Sequence, residues 1–244
     1  MSLAPFEPWQ TMRRHLLDNW ELGQHATLIG PAGSGKSHLA VTLGELTPHV
    51  LVLATKRRDP LISDLMSHGY KLVERMEDIP LAVRSERRDV PVHRRVLFWP
   101  RPEGRTAQER AAMQAAKVRQ ALHYAERNGD WAVLIDEGLW MAKNLRLEAE
   151  MESLWFQGRS MGVSVITCAQ RPSHLPLLAF SQATYLFLWK VNDRRDIERL
   201  REISGNVDLA TIEAIVNSLD WDGHEFLMVD TRRGVLARSV APPR

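Results

Sequence analysis

The segment Gly30-Pro31-Ala32-Gly33-Ser34-Gly35-Lys36-Ser37 constrains this chain more than any other. It fits G-x-x-x-x-G-K-[ST] in full, with an apolar run over His25–Gly30 before it and a helical pattern over Gly35–Leu46 after it. Each residue type has a physical reason. The glycines let backbone N–H groups converge on phosphate oxygens in a turn that larger side chains would obstruct. The following helix adds the partial positive charge of its N-terminus. In such a loop the lysine, here Lys36, reaches the β- and γ-phosphates, and the hydroxyl of Ser37 ligates Mg²⁺. Residues Gly30 to Ser37 are therefore candidate nucleotide-binding residues, with ATP and Mg²⁺ the implied ligands.

A strand–loop–helix of this kind belongs in an alternating α/β chain, and the periodicity agrees. Further apolar runs at Val50–Ala54, Arg95–Trp99, Trp131–Ile135, Val163–Ala169 and Thr184–Trp189 read as strands. Helical spacing recurs at Leu61–His68, from Thr106 to Asn128-Gly129, at Leu145–Ser160, Asp193–Ile203 and Leu209–Leu219. Glu225–Val229 and Val235–Ser239 flank DTRRG and read as a β-hairpin. The expected fold is α/β, with a mostly parallel central sheet flanked by helices and a C-terminal β-hairpin. Residues 1–24 form an N-terminal helical extension, 25–205 the nucleotide-binding core, and 206–244 a helix and hairpin of the same domain.

The run Trp131-Ala132-Val133-Leu134-Ile135 ends in Asp136-Glu137. Many buried strands end in a carboxylate, so the pattern gains meaning only after a phosphate loop. There Asp136 is a candidate metal ligand beside Ser37, and Glu137 a candidate catalytic residue that orients and polarises an attacking water. A kinase transferring to a substrate hydroxyl does not require that glutamate, so hydrolysis is the expected reaction.

The third signal is Gly158-Arg159-Ser160-Met161-Gly162, running on through Val163–Ala169 to Gln170-Arg171-Pro172-Ser173. Together with the two motifs above and the stretch ATYLFLWKVNDRRDIERL, it resembles the FtsK/HerA superfamily of P-loop ATPases, and most of all its small, nuclease-less phage genome-packaging members. Met161 and Cys168 depart from the family pattern at packing positions. The resemblance covers about Leu28 to Gly205 and implies a RecA-like (ASCE) core with an extra strand between the P-loop strand and the strand ending in Asp136. It implies that Gln170 senses the γ-phosphate and that Arg159 is an arginine finger reaching the site of a neighbouring subunit in a ring. Arg194 and Arg195 are second candidates for that contact. Arg159 is equally the kind of cation that faces a helix C-terminus, and Arg194 and Arg195 mix with acids as a solvated helix face does.

Composition bounds the rest. The 244 residues suffice for one large α/β domain. One cysteine excludes a disulfide framework and a Cys-rich metal site, and fits a reducing compartment. No apolar run approaches the ~18 residues of a membrane helix, and the first residues lack a signal-peptide pattern. A cytoplasmic protein is expected, in a bacterial host if phage-encoded. The net charge is only +2. Basic residues nevertheless cluster at Arg84, Arg87, Arg88, Arg94, Arg95, Arg101 and Arg105 around Trp99, a solvated surface or a set of phosphate contacts. The expected function is a ring-forming motor, a pentamer or hexamer, that hydrolyses ATP to move double-stranded DNA, with a capsid portal or other virion protein as docking partner. Two alternatives stand beside it: a virion-assembly or secretion ATPase of the same superfamily acting on protein, and a helicase-loader-like nucleotide switch.

Overall fold

A computed structural model describes residues 4–56, 60–79, 94–191, 193–201 and 209–242. Its centre is a nine-stranded sheet formed by β1 (His25–Ile29), β2 (His49–Leu53), β3 (Lys71–Val73), β4 (Arg94–Phe98), β5 (Trp131–Ile135), β6 (Ser164–Ala169), β7 (Ala183–Trp189), β8 (Glu225–Asp230) and β9 (Val235–Val240). The order across the sheet is β3-β4-β2-β5-β6-β1-β7-β8-β9. From β3 to β7 every neighbouring pair is parallel; β7–β8 and β8–β9 are antiparallel. The hairpin thus continues the main sheet. As the resemblance implies, one strand, β6, separates β1 from β5.

Strands β1, β5 and β6 are buried along their whole length, which is why they read as largely apolar runs, whereas the edge strands β3 and β9 are partly exposed. Alternate residues feed two separate cores. Leu28, Val52, Leu134, Ile166 and Phe187 pack with α1 (Trp9–Asn19), α2 (Lys36–Gly44) and α3 (Pro60–Ser67). Ile29, Leu53, Ile135, Val165 and Leu188 face the other way. There they meet α4 (Ala107–Asn128), α5 (Glu148–Gln157), α6 (Leu178–Ser181), and α8 (Leu209–Ser218); α7 (Arg194–Arg201) adds Leu200 to this core. α4 starts where its sequence says it must: Thr106 and Glu109 form a reciprocal capping box. The N-terminal segment is tied to the hairpin, Glu7 N–H donating to the Arg238 carbonyl and Arg238 N–H to that of Pro5.

Two local readings differ from the structure. The helix expected over Leu145–Ser160 is shorter. Arg146 adopts a left-handed φ of 53°, which separates a π-helical turn at Trp140–Asn144 from α5. After Gln157 the chain tightens into a 3₁₀ turn, Gly158–Met161. Strand β3 has no sequence counterpart, because three residues are too few for alternation to register. The basic cluster is also divided. Arg84, Arg87 and Arg88 lie outside the described residues. Arg94 and Arg95 open β4, whereas Arg101 and Arg105 follow its opposite end, Arg101 stacked 4.9 Å over Trp99 and paired with Glu74 at 2.8 Å. The described arginines therefore do not form one patch. Among the described residues no helix is long and apolar enough to cross a membrane.

Candidate active site

Parallel strands all deliver their following loops to one edge of the sheet, and the candidate residues after β1, β2, β5 and β6 converge there. Gly30 follows β1 and its N–H reaches the Ala169 carbonyl at the end of β6, 3.2 Å away. The loop then turns into α2 through Gly35, whose φ of 94° is in the left-handed region. A side chain at Gly35 would be strained on that account, and its Cβ would also lie 2.6 Å from the Cβ of Ala241. Lys36, 8% exposed, folds back over the loop and donates to the Pro31 carbonyl at 2.6 Å. Burial pulls its pKa below the usual lysine value, and the nearby carboxylates of Asp136 and Glu137 act in the opposite sense.

Ser37, on the first turn of α2, donates its hydroxyl to Asp136 Oδ1 at 2.5 Å. This contact joins two segments separated by 99 positions and sets a hydroxyl and a carboxylate side by side. Such hard oxygen donors suit Mg²⁺, which takes one or two protein oxygens and completes its octahedron with water and phosphate. Glu137 stands next to Asp136 and is partly exposed. Gly138 then lets β6 approach: a Cβ there would come within 2.5 Å of Leu175 Cδ2 and 3.0 Å of Thr167 Cγ2.

Lys56, three residues beyond β2, completes the group. Its ammonium lies 2.7 Å from Glu137 Oε1 and 3.5 Å from Asp136 Oδ2. No motif marks it in the sequence; its one signal is a cation just past the end of a buried apolar run. A cavity of about 550 Å³ lies over Ala32–His38, with Lys56, Pro60, Leu61 and Asp64 among its lining residues. A second cavity of about 550 Å³ meets the first at Lys56 and is lined by Glu137, Gln114 and Trp140 among others.

Gln170 emerges from β6 on the same edge, exposed, in a cavity of about 430 Å³ that also includes Pro31, Lys190 and Trp221. The residue after it is clamped: Arg171 pairs with Asp193 at 2.5 Å and with the buried Asp196 at 2.8 Å. That fixes the path of the chain beyond β6 against α7. Cys168, wholly buried in β6, has its thiol pushed well above the usual range by burial, so it is no nucleophile.

Arg159 is not brought to this group. It lies in the turn before β6, at the opposite edge of the sheet, with its side chain exposed and its backbone against Gly23. Within this chain it lies away from the loop at Gly30–Ser37, which follows the other end of the strands. Arg195 is exposed at the start of α7, its N–H bonded to Asp193 Oδ1, and the side chain of Arg194 lies outside the described residues.

No protein-family model matches the chain, and no curated protein matches it in sequence. Solved structures do match. The genome packaging NTPase B204 of Sulfolobus turreted icosahedral virus 2, solved with sulfate, is 14% identical. It aligns over 92% of this chain and 100% of its own, with a TM-score of 0.62. The same protein with ATP-gammaS aligns over 88% and 95%, at 14% identity and a TM-score of 0.58. EccC of Thermomonospora curvata (ATPases 2 and 3, with a signal sequence peptide) is 14% identical over 91% of this chain and 38% of its own, with a TM-score of 0.51. The chain has the fold that these P-loop ATPases share.

Proposed function

We propose that the protein is the subunit of a ring-forming, ATP-hydrolysing motor that moves DNA, with viral or prophage genome packaging as its role. The observation that carries this reading is the Ser37–Asp136 contact with Glu137 beside it, directly over a loop of G-x-x-x-x-G-K-[ST] pattern. A phosphate cradle, a metal-type donor pair and an adjacent carboxylate are the parts that phosphoryl transfer to water needs. The whole-length similarity in fold to B204, a genome packaging NTPase, favours packaging over the other roles open to such a core.

The residues divide the work as follows. The N–H groups of Gly33 to Ser37 and the Lys36 ammonium would hold the triphosphate, and α2 would turn its positive end towards it. Ser37 and Asp136 would hold Mg²⁺, which, when bound, neutralises charge on the β- and γ-phosphate oxygens. Glu137 would orient water and accept its proton, and Gln170 would register the γ-phosphate from the neighbouring strand. Arg159 would complete the site of the next subunit in the ring. Residues 25–205 form the motor core, with the N-terminal helix and the C-terminal hairpin as parts of the same domain, acting in the cytoplasm. Divided as the described arginines are, the grip on DNA rests on avidity across the ring.

ATP turnover measured with and without double-stranded DNA tests the reading. Stimulation by DNA, lost in Lys36→Ala, is the expected result. Turnover indifferent to DNA but raised by an unfolded polypeptide would replace it with a role on protein partners, in line with EccC's complex with a signal sequence peptide.

A further inference from the structure

Lys56 has no place in the reaction as derived above, yet among the described residues it is the cation paired with the candidate catalytic carboxylate. Its Nζ is 2.7 Å from Glu137 Oε1 and 3.5 Å from Asp136 Oδ2, while Ser37 holds the other oxygen of Asp136. Asp136 and Glu137 are adjacent in sequence, with 13% and 29% of their side chains exposed. Two anions so placed need a counter-charge whether or not a nucleotide is present. Lys36 is near enough for its charge to favour both carboxylates, but its ammonium is bonded to the Pro31 carbonyl rather than to either of them. Lys56 pairs with both, and it projects from the end of β2 into the wall common to the phosphate cavity and the cavity beside Glu137.

We propose that Lys56 is a positioning residue that stands in for the metal ion: its ammonium neutralises Asp136 and holds Glu137 until a divalent cation with nucleotide displaces it. The proposal rests on reading Asp136 as a metal ligand. Its physical basis is competition. A divalent ion at the Ser37–Asp136 pair and an ammonium at the other oxygen of the same carboxylate repel one another. Entry of the ion therefore drives Lys56 off Asp136, and Glu137 loses its restraint in the same step. Loading the site and freeing its water-orienting carboxylate become one event, so an empty subunit keeps Glu137 paired. The lysine suits this task because its stem is flexible and its charge is a single point; with 43% of its side chain exposed it has room to move.

The test is a Mn²⁺ titration in the presence of ADP, followed by the electron paramagnetic resonance of free Mn²⁺, on the intact protein and on Lys56→Gln, Lys56→Arg and Asp136→Asn. Removing the competing ammonium in Lys56→Gln should tighten Mn²⁺ binding about fivefold, equivalent to roughly 1 kcal/mol for a pair of this exposure. Lys56→Arg should retain the parent affinity. Unchanged or weakened binding in Lys56→Gln, with binding lost in Asp136→Asn, would overturn the role of Lys56 alone. Asp136→Asn binding as tightly as the parent would instead remove the metal-ligand reading on which the proposal stands. A melting experiment supplies a second readout. Lys56→Gln should melt below the parent without metal and nucleotide, and the gap should close once Mn²⁺ and ADP saturate both proteins.

Discussion

At the carboxyl ends of the parallel strands, polar groups face cavities and hold provisional partners: Lys36 on a loop carbonyl, Ser37 on Asp136, Lys56 on Glu137. At the amino ends of β1 and β6 the contacts are sealed around one buried ring. His25 opens β1 only 3% exposed, its Nδ1 accepting from the Val165 N–H at 2.9 Å and its Nε2 donating to the Trp155 carbonyl at 3.1 Å. Gly23 presses against the backbone of Arg159, where a Cβ would come within 2.6 Å of its Cα. The two edges belong to the same strands, and the difference teaches where this fold spends its stability. The amino edge locks β1, β6 and α5 together, so that the carboxyl edge can leave its charges with contacts that a ligand can replace.

Arg159 is the sharpest way to break that contrast, because it sits on the sealed edge and yet points to solvent. Arg159→Ala should lower turnover by roughly 10³–10⁵, the range for an arginine supplied by a neighbour, with ATP binding intact and the melting temperature nearly unmoved. Mixing it with Glu137→Gln subunits should restore part of the activity, since each supplies what the other lacks. Full activity in Arg159→Ala would return the residue to a purely structural account and confine function to the carboxyl edge.

Glu137→Gln probes that edge itself. Turnover should fall by about 10²–10⁴, the usual contribution of a positioned acid–base group, while stability changes little for a partly exposed side chain that keeps its shape. His25→Leu should do the reverse. It strands the Val165 N–H and the Trp155 carbonyl in the interior, at about 1–3 kcal/mol for each buried group left unpaired. Chemical denaturation should show a loss of roughly 3 kcal/mol, with affinity for a non-hydrolysable ATP analogue unchanged at temperatures where the variant is folded.

The sequence reaches the two edges unequally, and the reason is physical. Gly30–Ser37 is legible as a motif and Asp136-Glu137 as the acids that end a buried apolar run after it, while Gln170 is singled out by the family resemblance; parallel topology sends the ends of all three strands to one edge. Lys56 follows β2 in the same way, but a single lysine in TKRRD carries no motif; only the pairing β2–β5 places it against Glu137. The amino edge is almost silent. His25 reads as one polar residue at the start of a strand, and nothing local reveals that its ring bridges β6 and α5 from 130 or more positions away. Gly138 is silent likewise, since its smallness matters only for the approach of Leu175 and Thr167.

The smallest expected effect is a pH dependence that belongs to the sealed edge alone. Burial is the main cause that lowers the pKa of His25 from 6.5 to about 4, and the proximity of Arg159 works in the same sense. The bond from Val165 acts in the same sense, because Nδ1 must stay unprotonated to accept it, while the bond to the Trp155 carbonyl opposes the shift without overcoming burial. The unfolded chain therefore binds a proton first as the pH falls. The stabilisation is complete above pH 6.5, shrinks as the pH drops below it, and is spent by about pH 4. The same linkage gives a loss of about 2 kcal/mol at pH 5 relative to neutrality. Denaturation midpoints taken between pH 7 and 5 should fall accordingly in the parent protein, and His25→Leu should lack this component over the same window. A parent and variant that lose stability in parallel would mean that the imidazole exchanges its proton with solvent as freely as an exposed one, and the contrast between a sealed and an open edge would fail at its best-defined residue.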